Sequence, residues 1–145
     1  MFSLTTEYAL RATVWLAENQ GLPQTTRQIA SATCVPVNYL SKVLQALGKA
    51  GLVRALRGKH GGFELAKAPS STSVLEIINV VEPIHRIRAC PLGLKTHSLS
   101  LCPLHKRLDQ AMAIFEQSFA GATLADLLTP FSQPSLCIAP ASKGI

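Results

Sequence analysis

Hydrophobic residues recur at helical spacing along the first third of the chain and predict a mainly helical start. A first helix is expected over about Thr6 to Glu18, where apolar side chains occupy nearly every face. Such a helix should be covered on more than one side. Thr25, with Gln28 three residues later, forms a capping-box pattern that predicts a short second helix ending near Ala32.

The third predicted helix carries two stripes of different chemistry at spacings of three and four residues. The apolar positions, expected to face inward, are Val37, Leu40, Leu44 and Leu47. The polar positions, on another face, are Asn38, Ser41, Lys42 and Gln45. With the second helix and the turn at residues 34–36, this pattern predicts a helix-turn-helix whose polar stripe is free to meet a ligand.

A basic, glycine-rich hairpin is predicted directly after this helix. Gly51 should stop the helix, and residues 52–53 and 63–65 are predicted as short paired strands around a tip at residues 57–62. A fourth helix, capped by Thr72 or Ser73, should end before Pro83. These elements predict a winged helix-turn-helix: mainly α, with a two-stranded β wing and a long C-terminal dimerisation helix.

The positive charge of the chain is concentrated in the helix and the wing. The 145 residues carry a formal charge of +6, and residues 42–67 hold six Lys/Arg against the single acid Glu64, which makes +5. This distribution favours double-stranded DNA as the partner, with a solvated basic face as the alternative. The candidate DNA contacts are Thr26, Arg27, Asn38, Tyr39, Ser41, Lys42, Gln45, Arg54, Arg57, Lys59 and His60.

Periodicity fails between Ile84 and Leu101 and then returns as a long amphipathic helix. Its apolar positions are Leu104, Leu108, Ala111, Met112, Phe115 and Phe119. One helix cannot bury this stripe on a small winged domain, so a homodimer is expected. We therefore divide the chain into a DNA-binding domain (1–83), a sensor loop (84–105), a dimerisation region (106–129) and a flexible tail (130–145).

The loop contains two Cys-Pro-Leu motifs, at Cys90 and Cys102, and His105 follows the second. If Cys102 caps the long helix and Pro103 is its first residue, the thiol and the imidazole converge within one turn. Thiolate and imidazole are ligands for metals and iron–sulfur clusters. The alternative is that both thiols are buried as small hydrophobic groups and that His105 is an ordinary helix residue.

Several motifs in this order match one family. They are residues 6–11 (TEYALR), 39–47 (YLSKVLQAL), 50–53 (AGLV), 57–63 (RGKHGGF) and 123–127 (TLADL). Over residues 1–129 the chain resembles the IscR/NsrR family of bacterial winged-helix regulators. The resemblance implies a homodimeric transcription factor, usually a repressor, whose DNA affinity depends on an iron–sulfur cluster. It also implies base reading by Asn38, Ser41 and Lys42 and a minor-groove role for Arg57.

The cluster motif of that family is three cysteines, and the chain departs from it at the middle position, where Thr96 stands. The resemblance therefore implies a [2Fe-2S] cluster held by Cys90, Cys102 and His105, with Glu7 of the partner's first helix as fourth ligand. His97 is an alternative to Glu7. An exposed cluster of this kind would sense redox state, nitric oxide or iron supply.

Other readings of the same residues stay open. A zinc site would make the loop structural, and a cluster-free regulator, similar to the CymR branch, would respond through a thiol or a protein partner. An enzyme is not expected, because the chain has no glycine-rich phosphate loop or nucleophile–base motif. No secretory signal or apolar stretch of about 20 residues is visible, so the protein is expected in the cytoplasm. Cys34 is expected to be buried.

Overall fold

The computed structural model describes residues 2–93 and 100–128. The helices are α1 (Leu4–Glu18), α2 (Thr26–Thr33), α3 (Val37–Lys49), α4 (Val74–Val81), α5 (Pro103–Ala120) and α6 (Leu124–Leu127). The strands are β1 (Val53–Leu56) and β2 (Gly62–Leu65), which pair antiparallel, and a 3-10 turn covers Pro69–Ser71. The predicted fold class, mainly α with a two-stranded wing, is confirmed. None of the helices in the described ranges is long and apolar enough to cross a bilayer.

Helix α1 lies at the centre of the core. It packs against α2, α3, α4, α6 and β2, and its small residues Ala9 and Ala12 have no exposed surface. Small side chains at these positions let neighbouring helices approach closely on different sides. The expectation that this helix is covered on more than one side is confirmed.

The capping box predicted for α2 is present, and a capping box also starts α4, for which the sequence predicted only a cap at Thr72 or Ser73. The backbone N–H of Thr25 donates to Gln28 Oε1 at 2.8 Å, and the N–H of Gln28 donates back to the Thr25 hydroxyl at 3.2 Å. Ser73 caps α4 rather than Thr72, which is buried and whose hydroxyl donates to the Ala68 carbonyl at 3.2 Å. The backbone N–H of Ser73 donates to Glu76 and holds the pKa of that carboxyl below its usual value.

One position of the α3 stripe is wrong. Leu40, Leu44 and Leu47 are fully buried as predicted, but Val37 is 44% exposed and Val43 is buried instead. Val37 is the first residue of the helix, and the whole first turn, residues 36–39, lies in solvent. Val37 is therefore exposed because it lies in the first turn of the helix, although it is on the same face as the buried leucines.

The wing is fastened to the body of the protein through a backbone bridge. The strands pair from Val53↔Leu65 to Leu56↔Gly62, so both are longer than predicted. The N–H of Gln24 donates to the Phe63 carbonyl at 2.9 Å, and the N–H of Phe63 donates to the Gln24 carbonyl at 2.7 Å. A Cβ on Gly62 would lie 2.6 Å from the Gln24 carbonyl carbon. Only glycine allows this close approach.

After α5 the chain returns to the winged unit. Leu124 of α6 is fully buried in the common core. Its N–H donates to the Thr72 carbonyl at 2.9 Å, and the N–H of Val74 donates to the Ala122 carbonyl at 2.9 Å. The capping box at Thr123 and Asp126 is present as predicted. Helix α5 itself has no buried residue, so α6, rather than α5, contributes to the core.

The close approach of Gly62 to Gln24 leads to a prediction about stability. Gly62→Ala should lower the free energy of unfolding by about 1–3 kcal/mol, because the new methyl group forces the wing away from Gln24. The matched control is Gly48→Ala on α3, where an added Cβ meets nothing closer than 3.9 Å. That change should stabilise by about 0.5–1 kcal/mol through helix propensity. Urea unfolding measures both, and equal midpoints for the two variants would contradict the account.

Candidate nucleic-acid interface and metal centre

The polar face of α3 is held outward by its buried face. Because the buried leucines of α3 fix its rotation, the predicted polar stripe is exposed along its length. Its members are Asn38, Ser41, Lys42 and Gln45. The Ser41 hydroxyl donates to the Val37 carbonyl at 2.9 Å, so its oxygen faces outward as an acceptor.

This face of α3 and the wing line one shallow groove. The groove has a volume of about 530 Å³, and Ser41, Lys42 and Gln45 line it from the helix, with Ala55 and Phe63 on the strands. The backbone bridge at Gln24 keeps the wing in this position relative to α3. Helix and wing therefore form one continuous surface.

The tip of the wing presents three exposed basic side chains, Arg57, Lys59 and His60. The N–H of Gly61 donates to the Gly58 carbonyl at 3.0 Å and closes a tight turn. A Cβ on Gly61 would collide with the Leu56 carbonyl oxygen. The glycines thus make a turn narrow enough to enter a groove or follow phosphates, with its cations on the outside.

Arg54, also predicted as a DNA contact, has a partner within the wing. Its Nε donates to Glu64 Oε1 at 2.6 Å across the β1–β2 pair. The Glu64 side chain is 11% exposed and that of Arg54 is 62% exposed. Arg54 therefore neutralises the one acid of the basic segment and still reaches solvent. The sequence shows both residues but not their register, so this pairing was missed.

The remaining predicted DNA contacts lie at helix starts. Thr26 is half-buried and Arg27 is exposed on the first turn of α2. Tyr39 is 60% exposed on the first turn of α3, and its ring lies 6.2 Å from that of Tyr8. Both helices therefore direct side chains from their N-terminal turns towards solvent.

The cysteine and histidine at the start of α5 converge as predicted. Cys102 is the N-cap, Pro103 is the first helical residue, and Cys102 Sγ lies 3.3 Å from His105 Nδ1. Both residues are half-buried. A sulfur and an imidazole nitrogen held at this distance are a donor pair that fits zinc or an iron–sulfur cluster.

The other predicted ligands are placed separately. Cys90 is a half-buried free thiol in the loop before α5, whereas Thr96 and His97 lie outside the described residues. Glu7, on the first turn of α1, accepts from Arg11 Nε at 2.8 Å through Oε1, and its side chain is 46% exposed. Within residues 2–93 and 100–128, no three His, Cys, Asp or Glu side chains come close enough to hold a metal. Cys34, expected to be buried, is exposed.

Three comparisons place the chain among known proteins. The model of the Rrf2 family, described as iron-dependent transcriptional regulators, matches residues 2–130. The regulator NsrR of Bacillus licheniformis is 32% identical over 126 residues, which cover 85% of this chain and 88% of that protein.

IscR and CymR are among the solved structures that share the fold. IscR from T. potens is 27% identical with a TM-score of 0.75, covering 88% of this chain and 85% of that one. CymR, the global cysteine regulator of B. subtilis, is 24% identical with a TM-score of 0.73, covering 88% and 95%. The chain belongs to the Rrf2 family of transcriptional regulators.

Proposed function

We propose that this protein is a homodimeric repressor that reads its operator with the polar face of α3 and lays its wing on the neighbouring DNA. The observation that carries this proposal is the groove shared by Ser41, Lys42 and Gln45 with the wing. Side-chain amides and cations on a helix face are the groups that read base edges in the major groove. Exposed cations on a narrow wing suit phosphates or the minor groove.

The dimer is proposed from the surface of α5. Leu104 is 64% exposed, Leu108 is 42% exposed and Met112 is 40% exposed, all on the apolar stripe. Phe115 and Phe119 of the same stripe pack on Phe2, with ring centroids 5.0 and 5.4 Å away. A second copy of α5 would cover the uncovered part of the stripe. Two-fold symmetry would then present two α3 helices to half-sites about one DNA turn apart.

The proposed cofactor is an iron–sulfur cluster of the [2Fe-2S] type, with Cys90, Cys102 and His105 as ligands and Glu7 of the second copy as the fourth. The Cys102–His105 pair and the family description as iron-dependent regulators support it. When bound, such a group supplies reversible electron transfer at a potential set by its ligands and its exposure.

The chain provides a route from the loop to the DNA-binding surface. Glu82, at the end of α4, accepts from the Thr6 hydroxyl at 2.6 Å and from the Ser3 N–H at 3.1 Å. The Thr6 hydroxyl holds the pKa of that carboxyl below its usual value. Phe2 ties the same N-terminal segment to α5. A shift of α5 or of its loop would therefore move α1, on which α3 packs, and change the spacing of the two α3 helices.

The first functional prediction concerns DNA. Lys42→Ala and Arg57→Ala should each weaken operator binding by about 1–3 kcal/mol, because each removes a groove or phosphate contact. Lys67→Ala is the matched control: it removes the same charge, but Lys67 Nζ lies 3.4 Å from Glu76 Oε1, away from the groove. Fluorescence anisotropy with a DNA duplex selected by the protein measures all three. Equal losses in all three variants would mean that charge alone, not this surface, determines affinity.

The second prediction concerns assembly. Leu108→Glu should give monomers, since it places a charge in the apolar stripe of α5 without touching the cluster of Phe2, Phe115 and Phe119. Gln110→Glu is the control, because Gln110 lies on the polar face with Lys106 and Arg107. Analytical ultracentrifugation measures the mass of each variant. A Leu108→Glu protein that stays dimeric would show that the dimer interface is not at this stripe.

The third prediction concerns the cofactor. Anaerobically purified protein should contain iron and sulfide and absorb visible light, and Cys90→Ala or Cys102→Ala should abolish the absorption. Glu7→Ala should leave a cluster that is lost faster. A colourless protein that contains zinc would replace the cluster with a structural metal site, since zinc does not absorb visible light. Full absorption in Cys102→Ala would refute the ligand assignment.

A further inference from the structure

A bidentate ion pair joins the loop that follows α4 to the middle of α5. Arg86 Nε and Nη2 each donate to a different oxygen of Asp109 at 2.7 Å. The backbone N–H of Ile87 donates to the same Asp109 at 2.9 Å. Arg86 Nη1 also lies 3.6 Å from Glu116 Oε2, two turns further along α5. One carboxylate thus holds both a side chain and the backbone of the loop.

This contact differs from an ordinary surface ion pair. The Asp109 side chain is only 19% exposed and that of Arg86 is 35% exposed. The Arg86 guanidinium holds the pKa of Asp109 below its usual value. Paired, parallel hydrogen bonds between guanidinium and carboxylate fix direction as well as distance. The loop is therefore held in one register on the helix.

The contacts also show which way the loop runs. Ile84 and His85 line a cavity of about 400 Å³ together with Ala111, Met112 and Phe115 of α5. Ile87, further along the loop, is bonded to Asp109, which lies nearer the start of α5. The loop therefore runs antiparallel to α5 and heads towards His105 and Cys102.

The lengths of the two segments match. From Asp109 back to His105 is four helical residues, about 6 Å along the axis, and Cys102 lies about 10 Å back. From Ile87 forward to Cys90 is three residues, which span up to about 10 Å when extended. His105 and Asp109 are four positions apart, so they lie on the same face of α5. In this register the three residues from Ile87 to Cys90 are long enough for Cys90 to reach the level of the Cys102–His105 pair along α5, although the three side chains do not gather within metal-binding distance in this structure.

We propose that Arg86 and Asp109 are positioning residues that set the register of the loop so that the Cys90 thiol is within reach of Cys102 and His105. The inference rests on the proposed metal site, because it concerns how that site is assembled. It assigns a role to two charged residues that are outside the proposed sets of DNA contacts and metal ligands. An ion pair that only stabilises α5 would leave the distance between the two thiols unchanged.

The test uses the full-length protein without metal. Asp109→Asn keeps an oxygen for the Ile87 N–H and removes the ion pair, and Glu116→Gln is the control for the weaker contact of Arg86. After a brief pulse of the thiol oxidant diamide, the Cys90–Cys102 disulfide is measured in the monomer band of a non-reducing gel. Trypsin cuts after Arg88, Lys95 and Lys106, so the disulfide joins peptide 89–95 to peptide 96–106.

If Arg86 and Asp109 set the register of the loop, Asp109→Asn should give a several-fold lower yield of this disulfide and Glu116→Gln should give an unchanged yield. Arg86→Gln should give the same loss, and the double variant with Asp109→Asn should be no worse than either single change. Urea midpoints identify any general loss of folding: if Asp109→Asn is unstable, Arg86→Gln decides. Equal disulfide yields in the wild type and both folded variants would overturn the proposal.

Metal loading separates this inference from the proposed function. If wild-type protein binds iron and sulfide, Asp109→Asn should release its iron to a chelator several-fold faster. If wild-type protein binds neither iron nor zinc but the disulfide yield still falls in Asp109→Asn, the proposed cofactor is refuted. The positioning role of Arg86 and Asp109 is then still supported. Loading and chelator release that match the wild type in Asp109→Asn, together with an unchanged disulfide yield, would leave Arg86 and Asp109 as a structural pair only.

Discussion

The burial of α1 at the centre of the core is the constraint on which the other surfaces depend. Ala9 and Ala12 have no exposed surface, and the Thr13 hydroxyl is satisfied within the helix by the Ala9 carbonyl at 2.9 Å. Helix α1 can therefore be packed on several sides without an unpaired polar group at Thr13. Helices α3, α4 and α6 and strand β2 of the wing all pack against it. The direction of the polar face of α3, which we propose reads DNA, follows from this packing.

Local signals in the sequence predicted most of the fold. Capping boxes at Thr25 and Thr123 start helices because their bonds span only three residues. The burial of Val43 in place of Val37 could not be predicted from the sequence. Periodicity identifies a face of the helix but not how far the neighbouring elements extend along it. The bridge between Gln24 and Phe63 and the pair of Arg54 with Glu64 depend on distant segments meeting, which no local pattern encodes.

The candidate site also has one part that local sequence patterns predict and one part that depends on contacts between distant segments. The exposed polar stripe of α3 and the pair of Cys102 with His105 lie within single helices, so their spacing was sufficient to predict them. The position of Cys90 depends instead on how the loop docks on α5, and the pair of Arg86 with Asp109, 23 positions apart, is one contact of that docking. Charged residues on a predicted helix give no sign of which distant partner they hold. The contact between the loop and α5 therefore became visible only in the structure.

The central claim is that α3 and the wing act as one DNA-reading surface, positioned by α1. Hydrogen exchange of the backbone amides, followed by mass spectrometry, tests it most directly when the full-length protein is compared with and without a DNA duplex that it selects from a random pool. The account predicts slower exchange in residues 38–45 and 54–63 and unchanged exchange in α4 at residues 74–81. Slower exchange in α4 with no change in α3 and the wing would contradict it.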